Sequence, residues 1–167
     1  MIDLLLINAP SRTGVYGALS HLSAIEPPVW AGLIARYCLN KGFTVEILDA
    51  EAEGLDTMAT ASRILNLEPR LAVFTIYGHQ PSASTQCLPA ASAVARLVNG
   101  YSMMSDAAHI PTLALGTHPS ALPERTLREE PFDYVCQGEG PITIEALLRG
   151  KVFTEYDPGV IGLWMKG

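Results

Sequence analysis

Five short, largely apolar runs recur along this chain, at residues 2–7, 43–48, 71–76, 112–115 and 134–136. Most do not alternate apolar with polar residues, so strands made from them need cover on both faces. That is how the strands of a parallel sheet read. Longer stretches with helical periodicity separate them. After Pro27-Pro28, Trp30, Leu33, Ile34, Tyr37 and Cys38 fall at i, i+3, i+4, i+7 and i+8, one apolar stripe. Asn40-Lys41-Gly42 closes that helix, with Gly42 as the expected left-handed residue. A second helix over 56–68 places Met58, Ala61, Ile64 and Leu65 on one face. A third over 84–98 uses Leu88, Ala91, Val94, Ala95 and Val98 and stops at Asn99-Gly100. Two more are expected over 122–130 and 141–149. Strictly alternating strands and helices predict a doubly wound α/β fold: a parallel five-stranded sheet, flavodoxin-like or Rossmann-like, with helices on both faces. Residues 101–109 read as a loop. Residues 1–155 read as the domain, and 156–167 as a linker with one further strand-like piece at 160–165 that can pair with another chain as an edge strand.

Composition excludes several classes of function. With 49% hydrophobic and 17% charged residues the chain is built to fold, not to stay disordered. A net charge of −6 argues against a nucleic-acid partner, because phosphate backbones need basic faces. No apolar run approaches the ~20 residues of a membrane span, and the first residues lack the basic segment of a signal peptide. The three cysteines, Cys38, Cys87 and Cys136, are scattered and fit neither a disulfide framework nor a zinc or iron–sulfur site. A cytoplasmic protein with reduced thiols is the expectation.

In open parallel sheets, ligands bind outside the carboxyl ends of the strands. Clusters of small and polar residues fall at four such ends: Asn8, Pro10 and Ser11 in a long segment running to Glu26; Tyr77, Gly78, His79, Gln80, Ser82, Ser84 and Thr85; Gly116, Thr117, His118, Pro119 and Ser120; and Gly138, Glu139 and Gly140. Each cluster alone reads equally well as turn chemistry. One of Ser82, Ser84 and Thr85 is expected to cap the following helix, leaving the others free. His79 and His118 read as hydrogen-bonded surface histidines or as ligand contacts, and no third ligand near them suggests a metal. Glu139 stands equally well as a helix-dipole partner or as an acceptor for a ligand amide or hydroxyl. Asp49 is placed to accept ribose hydroxyls, yet no Gly-x-Gly-x-x-Gly follows the first strand, which disfavours a dinucleotide. No phosphate loop and no Gly-x-Ser-x-Gly elbow is present. Thr75 and Tyr77 stand where a phospho-receiver domain would carry an acidic residue.

Three stretches together resemble the N-terminal cobalamin-binding domain of cobalamin-dependent radical S-adenosylmethionine enzymes. They run from Pro27-Pro28 to Asp49, from Leu113 through Gly116-Thr-His118-Pro119 to Glu124, and from Phe132 through Gly138-Glu139-Gly140 to Leu148. The resemblance implies cobalamin as cofactor, bound base-off with its nucleotide tail against the strand ends, and contacts from the four clusters named above. It departs from the methionine-synthase type, whose Asp-x-His-x-x-Gly motif is missing after the first strand. The lower cobalt face is then covered by Tyr77 or Gln80, or met by His79. The resemblance also implies a radical S-adenosylmethionine domain as partner, in the same chain or in trans. That domain would bring the four-iron cluster and S-adenosylmethionine, because its Cys-x-x-x-Cys-x-x-Cys motif is absent here. Residues 160–164 resemble the family's link toward it, so the chain reads as a domain fragment without a complete active site. Two other classes stay open: a stand-alone binding or scaffold domain using the same crevice for a nucleotide or partner protein, and a small enzyme with Glu139 and His118 as its proton-transfer pair.

Overall fold

The computed structural model describes residues 2–78, 81–105, 108–150 and 162–166. Its sheet begins with β1 (Leu4–Asn8), which pairs in parallel with β2 (Val45–Asp49) on one side and β3 (Leu71–Ile76) on the other. Then follow β4 (Thr112–Gly116) and β5 (Tyr134–Cys136), also parallel. The order β2-β1-β3-β4-β5 is the flavodoxin-like one, with its topological switch point between β1 and β3. Successive residues point to opposite sides, and β1, β3 and β4 are buried on both faces, whereas the edge strand β2 leaves Glu46 and Ile47 exposed. Leu4 and Leu6 join Ile34, Cys38 and Ile144 in one core, under α2 (Val29–Asn40) and α7 (Pro141–Leu148). Leu5 and Ile7 join Ile64, Val94 and Phe132 in the other, under α3 (Thr57–Leu67), α4 (Pro81–Met104) and α6 (Pro123–Glu129).

Several local signals act as expected. Asp56 caps α3 by accepting the Ala59 amide at 2.7 Å. Gly42 turns the chain out of α2 at φ +89°. Other expectations need correction. Helix α4 runs on through Asn99 and Gly100 to Met104, into residues expected to form a loop. Asn99 does not cap it: its amide donates to the Pro131 carbonyl at 2.6 Å, a tertiary contact that leaves the backbone helical. In α3, Met58 is 63% exposed, and Ala61 and Ile64 carry that face. In α2 the apolar stripe is split. Ala31, Ile34, Ala35 and Cys38 face the sheet, while Trp30 and Leu33 lie outside the core.

A sixth strand, β6 (Leu163–Met165), adds to the parallel sheet antiparallel to β5. It pairs within its own chain, with β5. Gln137 explains the docking: its amide donates to the Gly162 carbonyl at 2.6 Å, and its side chain accepts the Trp164 indole N–H at 3.1 Å. The boundary expected at 155/156 lies outside the described residues.

At the far edge of the sheet, Asp3 ties the entry of β2 to the segment before β3. It accepts from the Thr44 amide and hydroxyl and from Arg70 at 2.7 Å. The Thr44 amide, then Arg70, hold its carboxyl down at about 2. A carboxylate depressed in the folded state stabilises above its unfolded pKa, and that stability is lost as pH falls through the folded value. In urea titrations Asp3→Asn should therefore be less stable than the native chain by roughly 1 kcal/mol at neutral pH. The gap should shrink below pH 4 and close near pH 2.

Candidate functional site

The long segment after β1 is not an open loop. It forms a five-residue helix, α1 (Arg12–Tyr16), then a 3-10 turn (Gly17–Leu22), and returns to the edge as an extended stretch before α2. Together with the ends of β1 and β3 and the first turns of α4, it encloses a cleft of about 350 Å³ at the switch point. Its floor carries Asn8, Ser11 and Thr75, its walls Tyr77, Gly78, Gln86 and Cys87. A small recess continues between β1 and β3 under Ser11. Residues 27–30 close the far side, and the Trp30 indole stacks on the Tyr77 ring with centroids 5.0 Å apart and planes 19° from parallel. Exposed apolar side chains at the cleft are Tyr16, Ile25 and Val29, and Leu19 and Leu22 of the same stretch are exposed as well.

Polar groups on the floor are mostly engaged. The Asn8 amide donates to Asp49 Oδ1 at 2.8 Å, which engages one oxygen of the carboxylate placed to accept a ribose. Thr75 donates to the Ile7 carbonyl at 3.0 Å. Glu51 accepts the Arg12 backbone amide, and the Arg12 guanidinium lies 3.6 Å from the other Glu51 oxygen. Burial, then the nearby Cys136 thiol and Glu139, push the Tyr77 phenol up to about 12. Tyr77 is thus a neutral flat plate with an O–H, not a phenolate. Burial likewise pushes the Cys38 thiol up to about 11 and raises that of Cys136, so neither is a nucleophile.

The structure sorts the residues expected from sequence into three groups along one edge. Asn8, Ser11, Tyr77 and Gly78 line the cleft, and Pro10 lies between the first two in the chain. A second group is held by its own bonds. Ser84 is not a cap: it donates to the Ile76 carbonyl and accepts the His118 amide at 2.9 Å. Thr85 meets His118 Nδ1 at 2.9 Å, so that ring nitrogen is engaged by Thr85. Gly116 is buried at the end of β4, Thr117 is exposed, and Pro119 is buried in α5 (Thr117–Ala121). Third, Gly138 and Glu139 are exposed, Gly140 is buried, and the Gly138 amide donates to Ser120 Oγ at 2.5 Å. His79 and Gln80 lie outside the described residues, as does the Ser82 side chain. Sequence reasoning missed Arg12, Trp30, Glu51, Gln86 and Cys87. The signal for Trp30 was present: an aromatic in the first turn after Pro27-Pro28 is positioned by the strand ends, but its helical spacing had assigned it to the core.

Comparison with known proteins adds three findings. The family described as "B12 binding domain" matches residues 17–148. No curated protein matches the chain. Among solved structures, the chain resembles the cobalamin-dependent S-adenosylmethionine radical enzyme OxsB with aqua-cobalamin bound, at TM-score 0.69 and 16% identity over 98% of this chain and 20% of that one. It also resembles the radical S-adenosylmethionine methyltransferase TsrM from Kitasatospora setae with cobalamin and a [4Fe-4S] cluster bound, at TM-score 0.64 and 17% identity over 98% of this chain and 29% of that one. The chain thus spans less than a third of the proteins it matches, and at these identities the likeness is one of fold.

Proposed function

The chain belongs to the B12-binding domain family, whose cofactor is cobalamin, and from that membership we propose that it is the cobalamin-holding module of a radical S-adenosylmethionine enzyme. The observation that carries the reading is the position of the cleft. It opens at the β1/β3 switch point, where a flavodoxin-like sheet takes its ligand. A volume of about 350 Å³ accommodates a nucleotide-sized arm and not a whole corrin. The nucleotide tail therefore enters the cleft, and the corrin lies over the apolar rim and the neighbouring loops.

The residues present fit that cofactor. The stacked Trp30–Tyr77 pair offers flat apolar surface to an aromatic base. The partly exposed Arg12 side chain supplies a cation to the cleft. Small residues at 78, 116, 138 and 140 keep the edge low, as a broad plate fringed with amides requires. Bound cobalamin supplies a cobalt centre for methyl transfer or for assisting a radical step. This chain's residues bind, orient and exclude water; Tyr77, neutral and buried beside Trp30, covers apolar surface and moves no proton. The reaction itself is assigned to a radical S-adenosylmethionine domain, in the same polypeptide or in trans, as in the longer proteins of this fold.

Purified chain incubated with hydroxocobalamin should keep the red chromophore through gel filtration. The chain has two tryptophans, Trp30 at the cleft and Trp164 on β6, so binding should quench fluorescence mainly from Trp30. The quench should survive Trp164→Phe and disappear in Trp30→Phe. Colourless protein after the column overturns the reading.

A further inference from the structure

We infer that Arg12 is the anion anchor of the cleft, pairing with the phosphodiester of the nucleotide arm in competition with Glu51. The inference rests on the cobalamin reading above and assigns one group in it. Arg12 is the sole lysine or arginine among the described residues that line the cleft. Its Nη1 donates to the Ser23 carbonyl at 3.1 Å, which fixes the guanidinium plane at the end of the 3-10 turn. Its Nε is buried and makes no hydrogen bond. Glu51 faces it at 3.6 Å, outside hydrogen-bond range, because that carboxylate is turned to accept the Arg12 backbone amide.

A partly exposed cation lining the cleft and held by its neighbours suits an incoming oxyanion, and its Nε, closed off against Glu51, gains a partner once the phosphate displaces that carboxylate. A buried donor without a partner is unfavourable by about 1–3 kcal/mol, which a ligand recovers. Guanidinium and phosphate match as a planar fork to two oxygens. The corrin's amides are neutral, and the phosphodiester of the nucleotide arm is the part of cobalamin that carries a fixed negative charge. In a chain of net charge −6, whose cleft also holds Glu51 and Glu26, that charge needs a local cation. Glu51 then has two effects of opposite sign: it positions the Arg12 backbone, and its own charge opposes the phosphate.

The test uses the full chain with hydroxocobalamin and with dicyanocobinamide, a corrin without phosphate, ribose or base. Affinities are read by absorbance titration. Arg12→Gln should weaken hydroxocobalamin about tenfold and leave cobinamide unchanged, and Arg12→Lys should fall in between. Glu51→Gln keeps an oxygen for the Arg12 amide but removes the competing charge. It should hold hydroxocobalamin several-fold more tightly, again without effect on cobinamide. A purely structural role for the pair would weaken both corrinoids in both variants, and that pattern overturns the inference, as does an Arg12→Gln chain of native hydroxocobalamin affinity. If Arg12→Gln melts early, Glu51→Gln and Arg12→Lys carry the test alone. A native chain that holds neither corrinoid overturns the cofactor reading and this inference together; one that holds both, with variants shifting them alike, overturns the inference alone.

Discussion

Gly116→Val should yield a chain that does not reach the native fold, and Gly116→Ala one that reaches it only marginally. Gly116 ends β4 opposite Ile76 of β3, and an added Cβ would collide with the Ile76 carbonyl. The obstacle is backbone, not the end of a flexible side chain. Nor can that carbonyl swing aside, since it accepts the Ser84 hydroxyl, which in turn accepts the His118 amide. Relief would break the β3–β4 register or the bonds that join β3, α4 and α5. Forced overpacking of this kind costs ~3 kcal/mol or more, a large share of a domain's 5–15 kcal/mol. In thermal melts Gly116→Ala should lose about 6–12 °C. Gly32→Ala is the control, because Gly32 sits within α2 with open space around its Cα. There alanine should raise stability by about 0.5–1 kcal/mol through helix propensity. A Gly116→Ala chain that melts with the native one would mean the two strands are not held this closely.

The same residue shows what the sequence could and could not disclose. Gly116 was legible as a small residue at a strand end, hence as part of a ligand edge. The reason for its smallness is a contact with a residue 40 positions earlier, and such contacts leave no periodic trace. Strands over 71–76 and 134–136 were legible to the residue because short apolar runs bearing β-branched and aromatic residues between helical stretches suit buried strands. Asn99-Gly100 read as a stop because both residues favour helix ends, and the helix continued because Asn99 found Pro131. At the site, the glycine- and hydroxyl-bearing turns were legible, and they do lie on one edge. The cleft was not, since half its wall comes from residues 12–16 and 24–31 on either side of the 3-10 turn. These residues look like core or solvent when read locally. The 3-10 turn and the extended stretch after it have neither helical nor strand period, so no pattern announces the shape they make.

Ser11→Trp should abolish retention of hydroxocobalamin while leaving the fold intact, the converse of the change at Gly116. Ser11 borders both the cleft and the recess beneath it, at the point where β1 and β3 part. Its backbone, at φ −96° and ψ −23°, suits any L-residue, and its carbonyl can still accept the Val15 amide. An indole there has the open volume of the cleft to enter. The stability change should stay near 0.5 kcal/mol, or about 2 °C in melting temperature. The same indole would occupy the space assigned to the nucleotide arm and would lie against the Trp30–Tyr77 stack. Affinity for hydroxocobalamin should fall at least ~100-fold, equivalent to about 2.7 kcal/mol. Dicyanocobinamide, lacking the arm, should lose far less. Titration of both corrinoids, with a melt of each protein, separates the possibilities. Native affinity for hydroxocobalamin in Ser11→Trp would place the arm elsewhere on the edge, and an equal loss for both corrinoids would mean that the corrin itself needs this cleft.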